Sequence, residues 1–174
     1  LGGDFQTYVD GMTATSVADY GVICSMGNPH VQNCVITGCA LSGVYLDRTN
    51  AWIEHNVISE NNQVGGSPAD GGGIAMSGGE PTIRYNTISS NLARNGGALF
   101  IEGGSARLTR NDLLYNEATG YGGAVCALDA TVDIARCVLK ENRASSVVAA
   151  SVEICSLLSA PIKLVVMHVA GRAG

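Results

Sequence analysis

Charged side chains are scarce, 14% of 174 residues against roughly 25% in an average domain. Aromatic residues are scarcer still at 5%. A helical bundle needs Glu, Lys and Leu in quantity, so this composition argues against one. The ten basic residues are dispersed through a chain of net charge −5, which argues against a nucleic-acid partner. No apolar run reaches the roughly 18 residues of a membrane span. The six cysteines include no CxxC pair, which argues against a zinc site. No acidic cluster offers a calcium cage, and His30, His55 and His168 stand in unrelated contexts without a Ser–His–Asp arrangement. No metal or cofactor is expected. No secretory signal is visible, and the chain begins at Leu1 rather than Met, which suits a fragment of a larger surface or secreted protein.

What is abundant is glycine, 23 residues, and small aliphatics within a 46% hydrophobic total. That suits a core of modest side chains threaded by many tight turns, in a chain long enough for one domain. Slid against itself, the sequence repeats. The segments "WIEHNVISEN" (52–61), "TIRYNTISSN" (82–91), "RLTRNDLLYN" (107–116) and "DIARCVLKEN" (133–142) share one template. It reads aliphatic, two variable, Asn, variable, aliphatic, two variable, Asn. "VQNCVITGCA" (31–40) fits with Cys in both asparagine places. One aliphatic column is Val31, Ile53, Ile83, Leu108 and Ile134; a second is Ile36, Ile58, Ile88, Leu113 and Leu139. Nine residues before the first column runs Val22, Val44, Ile74, Leu99 and Val125, followed two residues later by Cys24, Leu46, Met76, Ile101 and Ala127. Successive units are offset by 22, 30, 25 and 26 residues.

A spacing of two marks strands with that face inward. The aliphatics do not recur at helical spacing, and neither the leucine-rich strand nor the helical return of a leucine-rich repeat is present. Short strands and turns in a unit of this length predict an all-β solenoid whose coils bury their apolar side chains only by stacking. Asparagine tolerates left-handed backbone, so the asparagines are expected to form the turns. Stacked about 4.8 Å apart, their side chains would bond up and down a ladder. Cys34 and Cys137 fall in one column four coils apart, roughly 19 Å on that spacing, too far for a disulfide.

The "NxIxxNxAxxGGG" run resembles the right-handed parallel β-helix repeat of the pectate-lyase-like superfamily, over about residues 21–142. The resemblance implies a right-handed parallel β-helix of five to six coils. It leaves activity open, because that superfamily includes polysaccharide lyases, polygalacturonases, surface adhesins and phage tailspikes. "AWIEHNVIS" is similar to the W-I-D-H segment of pectate lyases through Trp52, Ile53, Glu54 and His55, with Glu for Asp. The Arg-x-Pro-x-x-Arg segment and the polygalacturonase motifs N-T-D, G-H-G and R-I-K are absent, so no catalytic role is carried onto Glu54 or His55.

A single domain over 1–174 is expected, with 1–20 an incomplete first coil, 21–146 the regular coils and 147–174 a C-terminal segment. After residue 146 only Glu153, Lys163 and Arg172 are charged. A solenoid end needs covering, so 147–174 reads as a cap or a sixth, irregular coil, or as a surface for homodimer formation. Within it, "SSVVAASVEICSLLSA" (145–160) suits a short helix and "PIKLVVMHV" (161–169) a strand.

Function must lie on outward positions or loops. Asp47 and Glu102 share an outward column with Ser77 between them, about 10 Å apart on the coil spacing, near the 6.5–9.5 Å of an inverting glycosidase pair. A second outward strip, His55, Tyr85, Arg110 and Arg136, could hold a sugar chain or attract an acidic polymer. The insertion "NQVGGSPADGG" (62–72) forms a loop at one corner of the longest coil. The first reading is a non-enzymatic β-helix module, secreted or on a cell surface, that binds carbohydrate or protein through the His55–Arg136 strip. The alternative is a polysaccharide lyase or glycoside hydrolase acting on an acidic polysaccharide through Asp47 and Glu102.

Overall fold

The computed structural model describes residues 7–63, 68–145, 154–157, 162–165 and 168–169. Among them there is no helix, and so none long and apolar enough to cross a membrane. The strands pair in parallel into stacked sheets that wind as a β-solenoid of about five turns. Each coil visits three sheets in turn. The first holds Val22–Ser25, Val44–Asp47, Ile74–Ser77, Leu99–Glu102, Val125–Leu128 and Ile154–Leu157. The second runs from Tyr8–Asp10 through His30–Gln32, Trp52–Glu54, Thr82–Arg84, Ser105–Thr109 and Thr131–Ala135 to Ile162–Val165. The third runs from Thr13–Thr15 through Val35–Thr37, Val57–Ser59, Thr87–Ser89, Asp112–Leu114 and Val138–Lys140 to His168–Val169. The repeat did not announce a fourth, short sheet, Leu92–Ala93, Glu117–Ala118 and Arg143–Ala144, which lines the return of the later coils.

The register is the one that the repeat predicts. Ile53 pairs with Val31 and Ile83, and Leu108 with Ile83 and Ile134, and all five are fully buried. Ile36, Ile58, Ile88, Leu113 and Leu139 stack in the same way. The two columns of the first sheet close the third wall. Fully burying an aliphatic side chain contributes about 1.5–3 kcal/mol, and each coil gains it only from its neighbours. Small residues admit this close approach. A Cβ at Gly73 would sit 2.5 Å from Ile88 Cγ2 and 2.7 Å from the Ala98 carbonyl oxygen.

Both asparagine columns are buried ladders. Asn86 Nδ2 donates to the Ile53 carbonyl at 2.8 Å and to Asn111 Oδ1 at 3.0 Å, while its own Oδ1 accepts from the backbone and side-chain nitrogens of Asn56. Asn61, Asn91, Asn116 and Asn142 repeat this pattern at the next corner. At the far end of the first ladder Cys137 Sγ takes the acceptor place, 3.4 Å from Asn111 N. One expectation is corrected here. The ladder asparagines are not the left-handed residues. Positive φ falls one position earlier, at Asn33, His55, Tyr85, Arg110 and Arg136, and at the next corner at Gly38, Glu60, Ser90, Tyr115 and Glu141. The residue that turns the chain points outward, and the following asparagine points in to bond its neighbours. Left-handed backbone costs a non-glycine residue roughly 1–2 kcal/mol, which the ladder bonds offset.

Residues 8–15 form the first coil's second- and third-sheet strands, in register with His30–Gln32 and Val35–Thr37. They escape the template because Met12 and Val17 occupy the asparagine places. At the other end, Ile154–Leu157 pairs with Val125–Leu128 as a strand, which corrects the expected helix over 145–160 at those residues. The strand expected over 161–169 is two strands in different sheets, Ile162–Val165 and His168–Val169. Their backbones continue the winding. The rest of 147–174, where capping or association was expected, lies outside the described residues.

Cys24, Cys34, Cys39 and Cys137 are free, and they and Cys126 are buried. Burial pushes the Cys24 thiol up to about 11 and raises those of Cys39 and Cys137. Thiolate is the reactive form. A Cys155→Ser variant is therefore expected to take up no iodoacetamide at neutral pH while folded and five equivalents in denaturant, read by intact mass. Rapid native labelling would contradict the burial.

Candidate functional site

In a strand with its middle residue in the core, the two flanking residues face solvent. In the second sheet this rule builds two outward columns beside the buried isoleucines. One is His30, Trp52, Thr82, Arg107 and Asp133; the other is Gln32, Glu54, Arg84, Thr109 and Ala135. The left-handed turn residues Asn33, His55, Tyr85, Arg110 and Arg136 form a third column alongside. The expected strip of His55, Tyr85, Arg110 and Arg136 is thus exposed and is one margin of a broader face.

The rings on this face stack on one another. His30 and Trp52 lie 5.7 Å apart at 5°, and His55 and Tyr85 lie 4.9 Å apart at 4°. Tyr8 extends the row, tilted 35° against His30 at 4.9 Å. Stacking between coils turns the ring faces along the solenoid, so that this surface presents ring edges, with His55 and Tyr85 exposed. The far face of Trp52 is covered by the Arg84 guanidinium, 4.8 Å from the ring centroid. Arg84 Nε also bonds Glu54 at 2.7 Å. Arg110 lies 5.4 Å from the Tyr85 ring centre and donates to the Tyr85 hydroxyl. At the N-terminal margin, Asp10 accepts from Asn33 Nδ2 and Gln32 Nε2, both at 2.9 Å, which holds its carboxyl below the usual range.

Because Thr82 and Thr109 are small, a notch opens between Trp52 and the next coil. It measures about 240 Å³, with Arg84, Tyr85, Arg107 and Arg110 around it. The dispersal of basic residues along the sequence does not survive folding: Arg84, Arg107, Arg110 and Arg136, four of the ten, meet on this one surface. Trp52 stood out in the sequence only through the W-I-E-H similarity, and Arg84 and Arg107 did not stand out. The signal was present in the variable positions directly before and after the first aliphatic column.

Asp47 and Glu102 do share a column, each paired with Ser77, but on the outer side of the first sheet. Asp47 is engaged by Arg48, with Nε to Oδ1 at 3.0 Å and Nη2 to Oδ2 at 3.3 Å. Beside this column Phe100 and Cys126 are buried with Tyr121 and Leu128 packed against them. Glu54 of the W-I-E-H segment is buried against Arg84, and His55 is stacked on Tyr85. In the 62–72 insertion, Asn62 and Ala69 exchange two hydrogen bonds and Asp70 accepts from Arg94 and Asn95; residues 64–67 lie outside the described residues. Among the described residues, no three His, Cys, Asp or Glu side chains are placed to hold a metal ion.

A family model described as "Right handed beta helix region" matches residues 1–155. No curated protein and no solved structure matches the chain.

Proposed function

The chain belongs to the right-handed β-helix family, and on that premise we propose that it is a non-enzymatic binding module that takes a carbohydrate chain on the outer face of its second sheet. The observation that supports this most is the ordered row of ring edges and guanidiniums from Tyr8 to Arg110. Stacked on a rigid sheet, these groups lose little freedom when a ligand arrives, which lowers the cost of binding. Indole, imidazole, phenol and guanidinium edges donate hydrogen bonds at intervals set by the coil spacing, about 4.8 Å. A saccharide offers hydroxyl oxygens to such a row. The candidate carboxylates Asp47 and Glu102 belong to another sheet, and the Asp47–Arg48 pair occupies one of them.

Screening the protein against a glycan panel, with assays for unsaturated and reducing-end products, tests this. Binding without turnover is expected, with binding weakened at least about tenfold in the Tyr85→Ala, Arg110→Ala double variant, the scale of losing one or two charge-assisted bonds. Cleavage that disappears in Asp47→Asn or Glu102→Gln would overturn the non-enzymatic reading in favour of a lyase or hydrolase. Undiminished binding in the double variant would move the site off this face.

A further inference from the structure

Three guanidiniums surround one small notch in a protein that carries 15 acidic residues and a net charge of −5. Of the three, among the described residues only Arg84 is ion-paired, through its Nε to Glu54, and its two terminal nitrogens bond no described atom. Arg110 spends one terminal nitrogen on the Tyr85 hydroxyl. Among the described residues Arg107 finds neither ion pair nor hydrogen bond for its side chain, although Asp133 stands beside it in register and, with Glu80, lines the adjoining depression. Like charges gathered around a cavity repel each other unless something neutralises them. The acids within reach leave most of these donors unused. Among the described residues no carboxylate lines the notch itself; its remaining walls and floor are Trp52, Tyr85, Thr82 and Thr109.

We infer that the notch is a binding site for a tetrahedral oxyanion, a sulfate or phosphate ester borne by the saccharide; this rests on the carbohydrate-binding reading of the same face. Arginine's planar fork suits anionic oxygens. The donors here come from different coils: Arg84 with Thr82 from one, Arg107 and Arg110 with Thr109 from the next. A group with three free oxygens meets donors arriving from several sides, whereas a planar carboxylate meets a single fork. Arg84 is held ready by Trp52 beneath its plane and Glu54 at its Nε. A single-stranded nucleic acid also carries phosphates, but it gains much of its affinity by stacking bases on free aromatic faces. The rings here are already stacked on one another, and Arg84 covers the outer face of Trp52.

The experiment follows arginine Nε–Hε resonances of the whole chain during titration with inorganic sulfate, inorganic phosphate, glucose 6-sulfate, glucuronate, glucose and a short single-stranded oligonucleotide. Saturable shifts at Arg84, Arg107 and Arg110 are expected with sulfate, phosphate and glucose 6-sulfate. Glucose 6-sulfate should bind at least about fivefold more tightly than glucuronate, and Arg107→Gln should weaken it about tenfold, the scale of one charge-assisted hydrogen bond. Arg143→Gln, on the short fourth sheet, should leave it unchanged. The absence of saturable shifts, equal binding of glucuronate, or equal loss in Arg143→Gln would overturn the oxyanion site. Saccharides that bind this face without preference for the sulfate ester would likewise overturn it while leaving the carbohydrate-binding reading standing. Binding of inorganic sulfate and phosphate with no gain from the sugar would support the anion site and remove its saccharide carrier. The oligonucleotide outcompeting glucose 6-sulfate at these three arginines would overturn the saccharide assignment.

Discussion

Replacing Ile88 by Ala is expected to lower the unfolding free energy by about 2–5 kcal/mol. Ile88 is fully buried between Ile58 and Leu113 in the third-sheet column. Its Cγ2 fills the space in which a Cβ on Gly73 would collide. The neighbouring coils are fixed by their own ladders and hydrogen bonds, so the vacated volume cannot collapse freely. Urea unfolding monitored by circular dichroism, together with its m-value, measures the loss. A change under about 0.5 kcal/mol, the scale of a surface substitution, would contradict the register.

The second large effect is expected from Asn86→Leu. The substitution keeps side-chain size but removes a node of the ladder. The backbone and side-chain nitrogens of Asn56 lose their acceptor, and the Ile53 carbonyl and Asn111 Oδ1 lose a donor. All of these groups are buried, and each one left unmatched costs about 1–3 kcal/mol. Thermal unfolding should shift downward by several degrees or more. Asn86→Asp separates chemistry from packing, because it keeps the acceptor and loses the donor. At neutral pH it should also melt below wild type, because a buried carboxylate oxygen then faces the Ile53 carbonyl and Asn111 Oδ1, and part of the loss should return at lower pH as the carboxyl protonates and regains a donor. A melting temperature unchanged in Asn86→Leu would show that the ladder contributes nothing.

The coils were legible because two physical requirements repeat at fixed spacing. The inward aliphatics must face one core, and the buried asparagines must bond across coils; both leave columns that survive variation elsewhere. The same dependence on columns explains what was hidden. The first coil, 8–15, has Met12 and Val17 where a ladder residue is looked for, so its strands could be recognised only by pairing. The turn residue was assigned to asparagine because asparagine favours positive φ in general. Here the inward bond claims the asparagine, and His55, Tyr85 or Arg110 takes the strained position instead. The segment around Ile154–Leu157 lacks both signals, and its apolar run suits a helix as well as a strand until parallel pairing decides. The outward face was half legible. His55, Tyr85, Arg110 and Arg136 share a template position, whereas Trp52, Arg84 and Arg107 come from two different columns and converge only because Thr82 and Thr109 leave room.

The measurement that bears most directly on the binding face is a backbone amide shift map of the chain titrated with the best-bound oligosaccharide of the panel. Perturbations should fall along Tyr8–Asp10, His30–Gln32, Trp52–Glu54, Thr82–Arg84 and Ser105–Thr109, and at the turn residues His55, Tyr85 and Arg110, which form one continuous surface. Strands of the first and third sheets should stay still. Shifts centred on Asp47, Ser77 and Glu102, or an absence of shifts with every saccharide, would contradict the assignment of this face as the site of binding.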